Sequence, residues 1–168
     1  MEDNARDYII DSGMKLLGQQ TLANEKGRRS FQSLCFLMQC MAGEHNYKFD
    51  WRNSRPYSET LEDEMSEKLA AALRGYPTTK NKDFLQIISG LEEGTLNAHE
   101  LLDISASYEF VKRAIVLEGR RAIEFITEHP DKKSLVDRLC PNEDYMQIDS
   151  KLGQLSHDMQ ELIRLNLG

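Results

Sequence analysis

Apolar positions recur along most of this chain at helical spacing. Phe31, Leu34, Cys35, Met38 and Met41 fall at i, i+3, i+4, i+7 and i+10, with Leu37 beside them, and so predict an amphipathic helix. Ser30 can cap its start and Gly43 can end it in a left-handed turn. An earlier helix is predicted over about 4–17 from Tyr8, Ile9, Met14, Leu16 and Leu17, with Gly18 as its stop. The polar segment 21–29 joins the two and carries Lys26-Gly27-Arg28-Arg29. Leu61, Met65, Leu69 and Leu73 recur every fourth residue, with Ala72 alongside, and Gly75 and Pro77 close that helix. Phe84 to Leu91 reads as a short buried helix closed by Gly90 and Gly94. Leu101, Leu102, Ile104 and Tyr108 read as one helix. Phe110 through Ile126 read as one or two more with a break at Gly119, and Pro130 ends the series. A short helix over 134–139 precedes Pro141, and a last helix spans about 143–166.

One stretch breaks the pattern. In YKFDWRNSRPYSETL, residues 47–61, Tyr47, Phe49 and Trp51 alternate with Lys48 and Asp50. Period two predicts a half-buried strand near 46–52, with Phe49 and Trp51 packed on the helix that carries Phe31 and Leu34. Pro56 is expected to stop regular pairing. Ser58 is placed to cap the next helix, whose first turns hold Glu59, Glu62 and Asp63 at the positive helix end. The expected fold is therefore mainly α, a single helical domain over 1–141 with this short β element, followed by an amphipathic helix over 142–168. In that last helix Tyr145, Ile148, Leu152, Leu155, Met159 and Leu162 step by three and four, the spacing of a coiled-coil seam. The seam can fold back on its own domain or form a homodimer through 145–162.

Composition narrows the function classes. At 168 residues the chain can bury a core without staples, and 40% apolar with 29% charged residues is ordinary for a globular protein. The net charge of −7 opposes a whole-surface affinity for nucleic acid or anionic lipid. No run approaches the roughly 18 apolar residues of a membrane span. The acidic start, Met1-Glu2-Asp3, is unlike a signal peptide, and three cysteines make an unpaired set, so a cytoplasmic setting is expected.

The chemistry-bearing residues are sparse. His45, His99, His129 and His157 lie far apart, and Cys35 and Cys40 are five apart, which suits zinc poorly. No nucleophile elbow, P-loop or paired-cysteine motif occurs. The acidic residues 59–67 read as a solvated helical face, and Cys35 as a buried thiol. The sequence thus offers no catalytic, cofactor-binding or metal-binding residues, and the expectation is a protein that is not an enzyme and carries no cofactor. Small basic clusters occur at Lys26, Arg28 and Arg29, at Lys48, Arg52 and Arg55, and at Lys80 and Lys82. Phosphate contact would fall to Arg28, Arg29, Arg52 and Arg55, with Tyr57 partly exposed beside them. The acidic helix after Ser58 is a poor reader of the major groove, so weak or no nucleic-acid binding is expected.

The order of "FQSLCFLMQ", "YKFDW" and "PYSETL" resembles the YwgA-like family of bacteria and archaea, and more remotely the SocA-like antitoxin (Panacea) domains. Tyr47, Phe49, Trp51, Pro56, Tyr57, Ser58 and Leu61 carry the resemblance in spacing, and Phe31 to Met38 fit its helix loosely. With "HELLDISASYEFVKR" and "AIEFITEHPDKKSLVDRL" included, it reaches over about 28–139. Arg55 stands where the family pattern has a glycine, so a left-handed turn there would be costly. The resemblance implies a small helical domain with a helix-turn-helix-like arrangement and no established catalysis. The expected function is that of a non-enzymatic interaction or regulatory protein acting through contacts with an unidentified protein partner. The alternatives are a DNA-binding transcriptional regulator or antitoxin-like domain, and an enzyme whose site has no recognised motif.

Overall fold

Asn24, not Ser30, begins the central helix. Its side chain accepts the Gly27 N–H at 2.7 Å, which starts the helix five residues before Lys26-Gly27-Arg28-Arg29 runs out. The basic segment expected as a linker is therefore the helix's first turn. Gly27 is required there by space: a Cβ at this position would stand 2.0 Å from the carbonyl oxygen of Thr21. Ser30 lies a full turn inside, where it bonds His99 instead of a helix end.

The computed structural model describes residues 2–43, 46–75 and 82–167. His45, Pro77 and Lys80 lie outside them. Helix α1 spans Glu2–Leu17, a 3₁₀ turn covers Gln19–Ala23, and α2 spans Glu25–Ala42. Strands β1 (Asp50–Arg52) and β2 (Arg55–Tyr57) follow, then α3 (Glu59–Leu73), α4 (Phe84–Ser89), α5 (Ala98–Arg113), α6 (Gly119–Thr127), α7 (Pro130–Leu139) and α8 (Tyr145–Leu167). The expected class is borne out: helices dominate, with a two-stranded antiparallel sheet as the β element. Pro130 begins α7 at its first turn, where a missing N–H costs nothing, and does not merely end the series before it. No helix among the described residues is long and apolar enough to cross a membrane.

α5 is the axis of the core. Leu101, Leu102, Ile104, Ala106, Tyr108, Phe110 and Val111 are buried, and so are its small polar residues Ser105 and Ser107. That small-residue stretch leaves room for neighbours, and α2 and α8 are the helices α5 meets most extensively. α8 folds back on α5 and α6, burying Ile148, Leu152, Leu155, Ser156, Met159 and Ile163. The seam that could have formed a homodimer through 145–162 is thus occupied within the chain. Two of its members fall outside the buried stripe: Tyr145 is exposed and Leu162 half-buried, while Ile163 takes the inner place. The stripe follows the straight-helix period of 3.6, not 3.5.

The β element is a hairpin and not the lone strand expected. Asp50 faces Tyr57, Trp51 faces Pro56 and Arg52 faces Arg55. Asn53 and Ser54 make the turn with φ of 53° and 63°. Two positive φ values define a type I′ loop, whose twist matches the strands. The left-handed residues precede Arg55, so Arg55 does not need to be glycine. Pro56 does not stop pairing. The pair beside a two-residue turn exchanges both hydrogen bonds and the next pair exchanges none, so Pro56 sits where no N–H is called for.

Burial alternates back to Tyr47. Tyr47 is buried, Phe49 and Trp51 half-buried, and Lys48, Asp50 and Arg52 exposed. Phe49 meets Phe36 edge-on at 5.1 Å between ring centroids. Trp51 stacks on Phe110 at 5.6 Å and touches Phe125 and His129, so it packs on α5 and α6 and not on Phe31 and Leu34 as expected. Its indole N–H donates to His129 Nε2 at 3.2 Å.

Two glutamines of α2 hold this hairpin. Gln39 donates to the Tyr47 carbonyl and accepts the Tyr47 N–H, both at 2.8 Å. Gln32 donates to the Ser58 carbonyl at 2.9 Å and accepts the Ser58 N–H at 3.0 Å. Ser58 in turn caps α3 as expected, its hydroxyl accepting the Leu61 N–H at 3.2 Å.

Gln39→Leu strands both buried backbone groups of Tyr47 and should cost about 2–5 kcal/mol by urea denaturation, from about 1–3 kcal/mol for each unsatisfied group. Gly153→Ala should do the reverse. The added Cβ would stand 3.5 Å from the Tyr108 hydroxyl, an ordinary contact, so a gain of about 0.5–1 kcal/mol is expected from the helix interior. A loss on that substitution would show that α8 has no room against α5.

Candidate functional site: a basic crevice between the central helix and the hairpin

The hairpin's two faces have opposite characters. Trp51 and Pro56 turn inward. Arg52 and Arg55, directly opposed, share the outer face with Tyr57. Arg52 lies over the Tyr57 ring at 4.7 Å, a cation–π contact. Because Gln32 fixes Ser58 against α2, this outer face is held beside the first turns of that helix, where Arg28 and Arg29 project.

The result is a crevice of about 490 Å³ lined by Arg28, Arg29, Arg52, Arg55 and Tyr57, with Asn24, Gln32 and Glu62 among the other walls. All five residues singled out from the sequence as possible contacts meet here, although 28 and 57 lie far apart in the chain. Four guanidinium groups face two carboxylates, Glu25 and Glu62. In a chain of net charge −7 this concavity is locally positive.

The four arginines differ in what they already do. Arg28 is saturated. Its Nε meets Glu62 at 2.7 Å, one terminal nitrogen meets Ser66 at 2.7 Å, and the other donates to the Leu22 carbonyl at 3.2 Å. It is a strut between α2 and α3. Arg29 pairs with Glu25 one turn earlier. Arg52 and Arg55 form no ion pair among the described residues. The Arg55 Nε is buried and has no hydrogen-bond partner. Burial lowers its pKa, and the neighbouring Arg29 charge adds to the effect.

A second cavity of about 480 Å³ adjoins the first through Glu25 and Arg29, and is lined also by Lys26, Ser30, His99, Glu100 and Asp103. Ser30 Oγ and His99 Nδ1 are 2.5 Å apart. A nucleophile and a base stand together here without the third member of a catalytic triad. Asp103 is bonded to Lys132 at 2.9 Å and Glu100 to Arg138 at 2.6 Å, and no carboxylate bonds the His99 ring among the described residues. Ser30 is 3% exposed. The pair ties α2 to α5.

Other candidates disperse. Lys48 lines a separate cavity of about 580 Å³ with Phe36, Cys40, Phe49, Phe110 and Arg113. Lys82 donates to the Asn166 carbonyl. Burial pushes the Cys40 thiol up to about 12 and the Cys140 thiol up to about 11, and raises Cys35 as well, so none is a thiolate at neutral pH. Among the described residues no group of three or more His, Cys, Asp and Glu could hold a metal ion.

Sequence reasoning missed Gln32, Gln39 and the Ser30–His99 pair. The two glutamines had a legible signal. They stand seven apart among apolar neighbours on the buried side of α2, where a polar group must find a partner.

Burial, and then Lys26, lower the His99 pKa below its ordinary value of 6.5. The unfolded chain therefore takes up this proton at higher pH than the folded one. The stability that His99 contributes is fully present above about 6.5 and falls as the pH drops below it. His99→Gln should flatten the decline in urea-denaturation stability between about pH 7 and pH 5. An identical slope in parent and variant would remove His99 as its source.

No family model, no curated protein and no solved structure matches the chain, so its function is read from this crevice and its surroundings.

Proposed function

We propose that this chain is a non-enzymatic regulatory protein that acts through contact with a protein partner, and that the positive crevice is its contact face for an acidic segment of that partner. The observation that carries the reading is the convergence of Arg29, Arg52 and Arg55 on one concavity in which two of the three have no ion pair among the described residues. Cations held without counter-ions at a preformed site are complementary to a negative surface, which favours encounter and register. The resemblance to YwgA-like proteins supports the reading at Tyr47, Phe49, Trp51, Pro56, Tyr57, Ser58 and Leu61, residues that build or anchor the hairpin carrying Arg52 and Arg55.

The second reading, a DNA-binding regulator or antitoxin-like domain, uses the same cations for phosphate contacts. The acidic neighbours disfavour it. Glu62 lines the crevice, and Glu59 and Asp63 lie close enough to act on the Tyr57 hydroxyl, so a duplex on this face would meet their charge.

Charge reversal by Arg29→Glu with Arg52→Glu should abolish capture of the partner from the native cell while the melting temperature stays within a few degrees of the parent. Partner retention by this variant would overturn the crevice as the contact face. Random duplex DNA should bind only weakly at low salt; tight, steeply salt-dependent binding lost in the same variant would put the DNA reading first.

A further inference from the structure

We propose that the crevice between α2 and the hairpin, whose wall holds both Arg29 and Arg55 beside the adjoining cavity, is a binding site for the phosphoryl group of a small molecule. The inference rests on the crevice being the working face, but it does not require a protein partner.

Arg55 carries the argument. It enters from the hairpin turn with a buried Nε–H that no protein atom accepts. A buried donor without an acceptor is costly in itself, and a charged one more so. Arg55 is also placed near another arginine. Arg29 is close enough to disfavour its charge, and Asp103, Glu25 and Glu62 act on it only through space, with no ion pair formed. Two guanidinium groups line one crevice, one of them without an ion pair, and an oxyanion there would take up their terminal N–H groups and offset the charge.

The surroundings choose the kind of anion. Lys26, Arg52 and Arg55 form no ion pair among the described residues, so more than one positive charge is uncompensated around the two cavities. A carboxylate supplies one negative charge. A phosphoryl group supplies about 1.5–2, with three acceptor oxygens for donors arriving from different directions. Arg55 arrives from β2, and Arg29 and Lys26 from α2. Their mutual angle is set by the Gln32–Ser58 bonds and not by flexible loops.

Size and nearby charge choose the molecule that bears it. The two cavities, about 490 and 480 Å³, share Glu25 and Arg29 and are each of the volume that small-molecule sites occupy. Carboxylates stand close by: Glu25 lines both cavities, Glu62 lines the crevice, and the exposed Glu59 and Asp63 act on the Tyr57 hydroxyl. A polynucleotide would carry many phosphates across those carboxylates, whereas a single phosphomonoester can place its one charged group on Arg55 and leave the rest uncharged. A small phosphorylated metabolite fits, and a nucleic-acid strand does not.

The test uses the full chain, with inorganic phosphate and phenyl phosphate as probes and acetate and a short single-stranded DNA as comparisons. Binding is followed by ³¹P line broadening for the phosphates and by the intrinsic fluorescence of Trp51, the only tryptophan, for all four. Both phosphates should bind and raise the melting temperature, and acetate at the same concentration should do neither. Arg55→Gln should weaken phenyl phosphate binding by roughly tenfold or more, equivalent to about 1.4 kcal/mol. Arg164→Gln, on the far surface of α8, should leave it unchanged. Because Arg55 lacks a partner, Arg55→Gln should be at least as stable as the parent in phosphate-free buffer, a result that a structural arginine would not give. If that variant fails to fold, the unpaired-donor argument is wrong and the proposal falls with it. Absence of phosphate binding by the parent, equal binding by Arg55→Gln, or equal competition by acetate would each overturn the assignment. Tighter binding of the DNA than of phenyl phosphate would overturn the choice of a small molecule. Loss of the protein partner on charge reversal with no phosphate binding would leave the contact-face reading standing and remove this one alone.

Discussion

The structure depends on a pair of side-chain amides. A two-stranded hairpin is marginal on its own, because its outer edges have no neighbours to satisfy their N–H and C=O groups. Here the residues that flank it are each bonded twice by a glutamine of α2: Tyr47 by Gln39 and Ser58 by Gln32. An amide side chain presents an N–H donor and a C=O acceptor side by side, the same pair that a neighbouring strand would offer. Seven residues separate the two glutamines, about two helical turns, so both lie on one face and the hairpin is anchored at its entry and its exit. Gln32 is 1% and Gln39 5% exposed, and in that setting these bonds cannot be exchanged for water.

The far end of the hairpin has its own anchor. Lys132 on α7 is 2% exposed and bonds Asp103 of α5 and Asp131, each at 2.9 Å. Ser54 in the turn lies near enough to Asp131 to act on its carboxyl. A buried lysine is tolerable only when it is paired, and here both carboxylates serve it. Removing either acid would leave a partly uncompensated charge under the turn. The hairpin therefore connects four helices: α2 through the glutamines, α5 and α6 through Trp51 on Phe110 and Phe125, and the start of α7 through the Trp51–His129 bond.

This anchoring gives the crevice its character. Arg52 and Arg55 are like charges placed directly opposite each other in a strand pair, an arrangement that is unfavourable by itself. It persists because the backbone beneath them is fixed from both ends. Arg28 gives up its own availability to brace α2 on α3 through Glu62, Ser66 and Leu22, and so leaves Arg29, Arg52 and Arg55 to define the open positive surface. Rigid scaffolding below and unneutralised charge above is the division of labour expected of a recognition site.

The sequence by itself determined most of the helices, because apolar spacing, glycine stops and the Ser58 cap are local signals that tertiary contacts here reinforced. It also marked residues 47–51 as strand-like, since alternation of Tyr47, Phe49 and Trp51 with polar neighbours requires no partner to be seen. It named the five crevice residues by charge and exposure, but not their meeting. Tertiary structure alone decided the rest. The start of α2 depended on Asn24 and on Gly27 fitting beneath Thr21, and a competing cap at Ser30 was lost to His99, a residue of α5. The hairpin needed Asn53 and Ser54 at positive φ, a conformation that glycine advertises and serine does not. The choice between a folded-back and a paired α8 lay with the surface it would cover, and α5, with its small Ser105-Ala106-Ser107 stretch, supplied that surface. The crevice followed last, because four cations distant in sequence become neighbours only after two buried glutamines have bonded backbone groups that no local pattern assigns to them.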